Sequence, residues 1–134
     1  MSTDTTAKRR IITLTNHSPV TIREAEWPII ASAAGDSWLG GDHGRHHQAK
    51  LQGEIDEYTL IVRQHADGRA LVYGVVDAAL AAWGAPARGE SWRGGELLDA
   101  DSDRARAIRR VGEAGGLPDA IIRACIADLP AVEI

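Results

Sequence analysis

Apolar residues along this chain follow two rhythms. Through most of its length they alternate or run in short blocks, as half-buried strands do; near the C-terminus they recur every three or four residues, as on a helix face. Arg10-Ile11-Ile12-Thr13-Leu14-Thr15 is rich in β-branched residues and predicts a first strand. Asn16-His17-Ser18-Pro19 breaks it, and Val20-Thr21-Ile22 resumes extended structure. Thr21 and Glu24 have capping-box spacing, but a helix starting there would enclose Pro28, whose ring removes a backbone hydrogen bond. A start near Glu24 to Trp27 fits better, with helix to about Ala34 and Gly35 as its stop.

Lys50 to Ile55 alternates weakly and predicts a short edge strand. Tyr58 to His65 and Ala70 to Val76 flank Asp67-Gly68, a pair preferred at two-residue hairpin turns because both positions need positive φ. That turn sets Val62 opposite Tyr73 and Leu60 opposite Val75 on one apolar face, with Gln64 and Leu71 at its margin. Thr59, Arg63 and His65 fall on the other face beside Ile61. Asp77 to Trp83 is alanine-rich and reads as a helical turn, Gly84 to Gly89 as a loop, and Trp92 to Leu98 as a last strand broken by Gly94-Gly95. Asp99 to Asp103 opens a helix with acid at its positive end, and Gly115-Gly116 stops it. Pro118 starts a final helix with a buried stripe of Ile121, Ile122, Cys125, Ile126 and Leu129. The expected architecture is α+β: a small antiparallel sheet with a central Asp-Gly hairpin, helices packed on one face, and a C-terminal helical pair. Residues 1–8 are expected as a flexible tail and 9–134 as one domain.

Composition narrows the function classes. A chain of 134 residues, 44% apolar and 25% charged, can bury a core without disulfide or metal support. With no Phe, that core rests on aliphatic side chains and a few Trp and Tyr rings. The formal charge of -4 gives no reason to expect a general polyanion binder, although a local basic patch is compatible with it. Cys125 is the only cysteine, so an intramolecular disulfide is excluded. Neither a signal-peptide pattern nor a membrane-spanning apolar run is present, and a cytoplasmic location is the expectation.

One short motif occurs twice. Gly35-Asp36-Ser37-Trp38-Leu39-Gly40-Gly41-Asp42 returns as Gly89-Glu90-Ser91-Trp92-Arg93-Gly94-Gly95-Glu96, and Ala31 and Ala33 align with Ala85 and Ala87. The likeness is too short for a structural repeat. Glycine-flanked turns tend to hold a Trp ring near solvent, where it can grip a partner. Trp38 and Trp92 are therefore candidate protein-binding residues, with Asp36, Asp42, Glu90 and Glu96 offering charge to a basic partner. The competing reading has both rings capping the ends of the sheet.

Other chemistry is weaker. His43, His46 and His47 form the one metal-like group, with Asp36 or Asp42 as a fourth ligand. Glycines at 40, 41 and 44 argue against a helix there, and a solvated polar loop is favoured over a metal site. No cofactor is expected. Cys125 on an apolar stripe reads as a buried, inert thiol, and neither Ser37 nor Ser91 lies in a nucleophile elbow, so catalysis is not expected. Arg104, Arg106, Arg109 and Arg110 would suit phosphates or an acidic partner, but a solvated face balancing Asp99, Asp101 and Asp103 is favoured. Direct nucleic-acid binding is disfavoured, because the following helix offers Arg123 against Asp119 and Asp128 and is otherwise apolar.

Four stretches carry a resemblance. They are Ile11 to Thr15 leading to Glu26-Trp27-Pro28-Ile29-Ile30-Ala31; Val62 to Arg69 with Leu71-Val72-Tyr73-Gly74; Arg106 to Val111; and Cys125 to Pro130. Together they resemble small uncharacterised proteins carried on proteobacterial plasmids, integrative elements and phages. The likeness spans most of the chain except Asp36 to Gln48 and Asp77 to Gly95. Cargo of that kind includes anti-CRISPR and other anti-defence proteins, which act by binding. The resemblance implies a protein partner, such as a basic surface of a nucleic-acid-handling complex, and assigns no residue a role.

Overall fold

The computed structural model describes residues 8–15, 17–36, 44, 45, 47, 55–82 and 85–130, with side chains undescribed at 78–82 and 85–91. Six strands come first: β1 (Arg9–Ile12), β2 (Val20–Arg23), β3 (Ile29–Asp36), β4 (Glu57–Gln64), β5 (Ala70–Ala82) and β6 (Ala85–Leu98). Two helices follow, α1 (Arg104–Ala114) and α2 (Asp119–Ala127). β1 and β2 form a two-stranded antiparallel ribbon, while β3-β4-β5-β6 form an antiparallel sheet in that order. The fold is α+β, with two antiparallel sheets and two C-terminal helices.

Both faces of the large sheet are covered. On one side Ala31, Leu60, Val62, Val72 and Leu98 pack against Ile108, Val111, Ile121, Ile122 and Cys125 of the helices. On the other, Leu71 and Tyr73 pack against Ile12, Leu14, Ile22 and Trp27, which belong to the ribbon and its exit. The expectation of helices on one face therefore captured half of the layering. The second apolar layer accounts for Arg63, expected on a partly polar face, being buried.

Four local expectations are corrected. Glu24–Glu26 is a single 3-10 turn, and 29–36, expected as helix, is strand β3. Pro28 biases Trp27 towards extended backbone and ends the turn. β3 then gains a ladder on β4, from Ile29↔Arg63 to Asp36↔Glu57 with one register shift between Ile29 and Ala31, and this outweighs the helix propensity of its alanines. The connection between β4 and β5 is one residue longer than a two-residue turn. His65 N donates to Arg69 O at 2.8 Å, three residues lie between them, and Gly68 takes positive φ, at 100°. Val62 consequently pairs with Val72 and Leu60 with Gly74, and Leu71, Tyr73 and Val75 turn to the opposite face from Leu60 and Val62. A shift of one residue reverses every side chain of a strand.

The alanine-rich 77–82 and the segment 85–89 are also strand, pairing from Asp77↔Glu90 out to Ala82↔Ala85. β5 and β6 thus run beyond the start of β4. Gly94-Gly95 does not break β6: between Tyr73↔Gly95 and Val75↔Trp92 the register shifts, and Gly94 has φ 112°. That is a β-bulge with its positive-φ residue supplied by glycine. Thr15 anchors the strap after β1 here, donating to Gly95 O through its N–H at 2.7 Å and its hydroxyl at 2.8 Å. The helices match expectation more closely. Asp103 caps α1 by accepting from Arg106 N, and Pro118 precedes α2.

Candidate functional site

Pairing brings separated acids into one row. Asp36 pairs with Glu57, Glu57 with Asp77 and Asp77 with Glu90, so all four strands place an acidic position side by side. At the ordinary strand spacing the row is about 14 Å wide. Thr59, Val75 and Trp92 occupy the next row inward, between the acids and the ribbon. Glu57, Thr59, Asp77 and Val75 belong to the ribbon-facing side of the sheet, because Ile61, Tyr73 and Leu71 of the same parity pack beneath the ribbon. Among the described residues, the ribbon packs over the Leu71–Tyr73 end of this face. Where β3 and β4 meet, a shallow cavity of about 310 Å³ is lined by residues of both sides of the sheet: Ala34, Asp36, Glu57 and Thr59, and Gly35 and Tyr58 on the helix side.

Trp92 lies within strand β6, not in a glycine-flanked turn. Its ring is half-buried, 5.2 Å from Tyr73 and tilted to it by 49°, and it packs on the edge of the core under the ribbon. The ring thus covers apolar area at the margin of the core. Trp38 and Asp42 lie outside the described residues. Glu96 departs from the proposed group. It pairs with Val72, which puts it on the helix side, and it accepts two bonds from Arg110 Nε and one at 2.8 Å from Arg110 Nη2. The Glu96 carboxylate holds the Arg110 guanidinium above its ordinary pKa, chiefly through that hydrogen bonding. Glu57 and Asp77, which complete the row, escaped the motif comparison. Asp77 lies within β5, at the start of the stretch expected as a helical turn, and only the observed register pairs it with Glu57.

The remaining candidates are spread out. Arg104 is spent on carbonyls of Asp99, Ala100, Ser102 and Gly68, tying the start of α1 to the β4–β5 connection. Arg106 is 3.9 Å from Asp103, and Arg109 is 3.6 Å from Glu113 and 3.2 Å from Asp119. Each guanidinium of that stripe therefore has a partner on its own chain. His43 and His46 lie outside the described residues. His47 is exposed and, with Gly44 and Arg45, has helical backbone, where the glycines argued against helix. Among the described residues no group of three or more His, Cys, Asp or Glu is placed to hold a metal ion. Cys125 is fully buried, 3.8 Å from Leu60 O, and burial pushes its thiol pKa up to about 11. Among the described residues no helix is long and apolar enough to cross a membrane. No family model, curated protein or solved structure matches the chain.

Proposed function

We propose that the protein is a non-enzymatic binding module whose docking surface is the end of the large sheet that carries Asp36, Glu57 and Asp77. The observation that carries this reading is the placement of Trp92 beside the Asp36–Glu57–Asp77–Glu90 row. A half-exposed aromatic on a rigid strand supplies contact area at low entropic cost, and adjacent acids select a basic partner and steer its approach. Asp36, Glu57 and Asp77 each already take part in a polar interaction within the chain. A carboxylate has about four lone-pair sites, so capacity for an incoming Arg or Lys remains.

The resemblance to mobile-element cargo directs the reading to a host defence complex. Such complexes hold nucleic acid on basic surfaces, and a line of carboxylates is matched to a surface that receives phosphates. The test is capture from a bacterial lysate, repeated with the purified partner. Trp92→Ser and Glu57→Lys/Asp77→Lys should each abolish capture in protein that still unfolds cooperatively, with a lower melting temperature for Trp92→Ser because its ring packs at the edge of the core. Retained capture by both folded variants would remove this face from the function. Protection of an incoming phage by the wild type, lost in the same variants, would support the anti-defence role.

A further inference from the structure

β3 is an outer strand of the large sheet: it pairs with β4 on one side, and no described strand pairs with it on the other. From Ile29 to Gly35 it carries no charged side chain, and Ile29, at 49%, Ser32 and Ala34 are exposed. In an antiparallel ladder, alternate residues turn both backbone groups towards the neighbour or both away from it. The Ser32 N–H does not serve β4; it donates to Asp128 Oδ2 at 2.9 Å. Ser32 therefore faces outward, as does Ala34 two residues on in the same unbroken register. No hydrogen bond among the described residues uses the outward side of Ala34. An uncharged edge of this kind is a template for another strand, and folds ordinarily blunt it with charged or proline residues on the strand itself. Here the charge at the middle of the edge comes from a different element.

Asp128 stands where local structure disfavours an acid. It is the C-cap of α2, fixed there by its own N–H, which donates to Ala124 O at 3.0 Å and Cys125 O at 3.1 Å. A carboxylate at a helix C-terminus opposes the helix dipole, and no basic residue in the last turn offsets it. The favourable interaction that the carboxylate does make is with the Ser32 N–H, across 96 residues of chain. An ionised carboxylate accepts hydrogen bonds and donates none. It occupies the place of the carbonyl that a neighbouring strand would bring to Ser32, and it must be desolvated before that strand can close.

We infer that Asp128 is a gate on β3: it keeps the edge unpaired, and without it two copies of this chain join β3 to β3 in one continuous antiparallel sheet. A second copy is the occupant that fits. Its β3 brings the same small, uncharged side chains, and opposed directions set Ser32 of each copy against Ala34 of the other, with Ala33 on the two-fold axis. In that register Asp36 falls opposite Ile30, so no like charges meet directly. The contact is isologous and closes at two copies.

Sedimentation velocity on the full chain, from about 1 to about 100 µM, tests this by comparing the wild type with Asp128→Ala, a change at an exposed position. Asp128→Ala should dimerise at least about tenfold more tightly, and amide exchange at Ser32 and Ala34 should slow as its concentration rises. In the wild type, exchange at Ser32 should not depend on concentration. Ser32→Pro added to Asp128→Ala should restore the association of the wild type. The N–H it removes serves no bond to β4, and proline is tolerated on an edge strand with that side outward. Ala34→Lys, a charge at an exposed edge position, should do the same and serves where the proline variant does not fold. Asp128→Ala protein that associates no more than the wild type overturns the inference. So does association that survives both edge blocks, or that leaves Ser32 and Ala34 exchange unchanged. Wild-type protein with concentration-dependent protection at Ser32 overturns it too, because Asp128 would then not close the edge. Trp92, Glu57 and Asp77 play no part in these outcomes, which are independent of the capture test.

Discussion

Arg63 is the one buried charged side chain among the described residues, 6% exposed, and its surroundings explain how it is tolerated. Nε donates to Tyr73 Oη at 2.8 Å, Nη1 donates to Trp27 O at 3.0 Å, and Nη2 lies 3.7 Å from Glu24 Oε1. Tyr73→Phe keeps the ring packing but leaves Nε without its acceptor in a water-poor site. Hydrogen bonds to charged groups contribute about 1.5–3 kcal/mol, and a loss of that size is expected as a lower urea midpoint with an unchanged slope. A Tyr73→Phe protein as stable as the wild type would show that this bond adds nothing. Cys125 makes a separate prediction. The thiolate is the reactive species, and a buried thiol with a pKa near 11 supplies almost none at neutral pH. Thiol-directed reagents should modify it only as fast as the chain opens, and equally fast in folded and urea-unfolded protein only if the burial is wrong.

At the scale of elements, the bulge in β6 is where local sequence and tertiary contact meet. Gly94 holds φ 112°, and a Cβ there would also approach Thr15 Cγ2 to 3.1 Å. Gly94→Ala should cost about 1–3 kcal/mol from backbone strain and loosen the Thr15 strap, read as a lower melting temperature and faster amide exchange at Thr15. Unchanged exchange would separate the bulge from the strap. The glycine pair was visible in the sequence, but as a break in a strand; the bulge depends on Tyr73 and Val75 of the neighbouring strand, which local reading does not include. The same limit explains the other departures. Strands β1, β2 and β4 and both helices were legible because their apolar spacing and capping residues agree. β3 and the outer part of β5 were read as helical because small alanine-rich segments have no strong period, and pairing partners decided their state. The candidate site was half legible for the same reason. Trp92, Glu90 and Asp36 came from the repeated motif, whereas Glu57 and Asp77 join them only in the observed register, and Glu96 leaves them for Arg110.

At the scale of the whole molecule, the ribbon joins the sheet through apolar packing, the Thr15 strap and a chain of charges, and the charges make that layer sensitive to acid. Glu24 accepts from Arg10 Nε at 2.6 Å and faces Arg63, so one carboxylate links the ribbon's basic strand to the buried guanidinium. Its pKa is lowered from 4.5, first by the hydrogen bond from Arg10 and further by the charges of Arg10, Lys8 and Arg63, against a smaller desolvation effect. Asp67 is lowered from 3.8, first by the hydrogen bond from Arg69 N and then by the Arg69 side chain. A carboxylate with a lowered folded pKa binds its proton more readily in the unfolded chain. The stability it contributes is therefore complete above its ordinary pKa and is lost as pH falls through the folded value. The melting temperature should hold steady from neutral pH to just above 4.5, then fall as Glu24 and Asp67 are protonated. Glu24→Gln removes one of these groups and should flatten that acid limb. It should also lower the melting temperature at neutral pH, where the neutral amide no longer compensates the Arg63 charge. Acid limbs of equal steepness in the two proteins would show that the ribbon is held by packing and the Thr15 strap without help from Glu24, with Arg63 compensated by Tyr73 and Trp27.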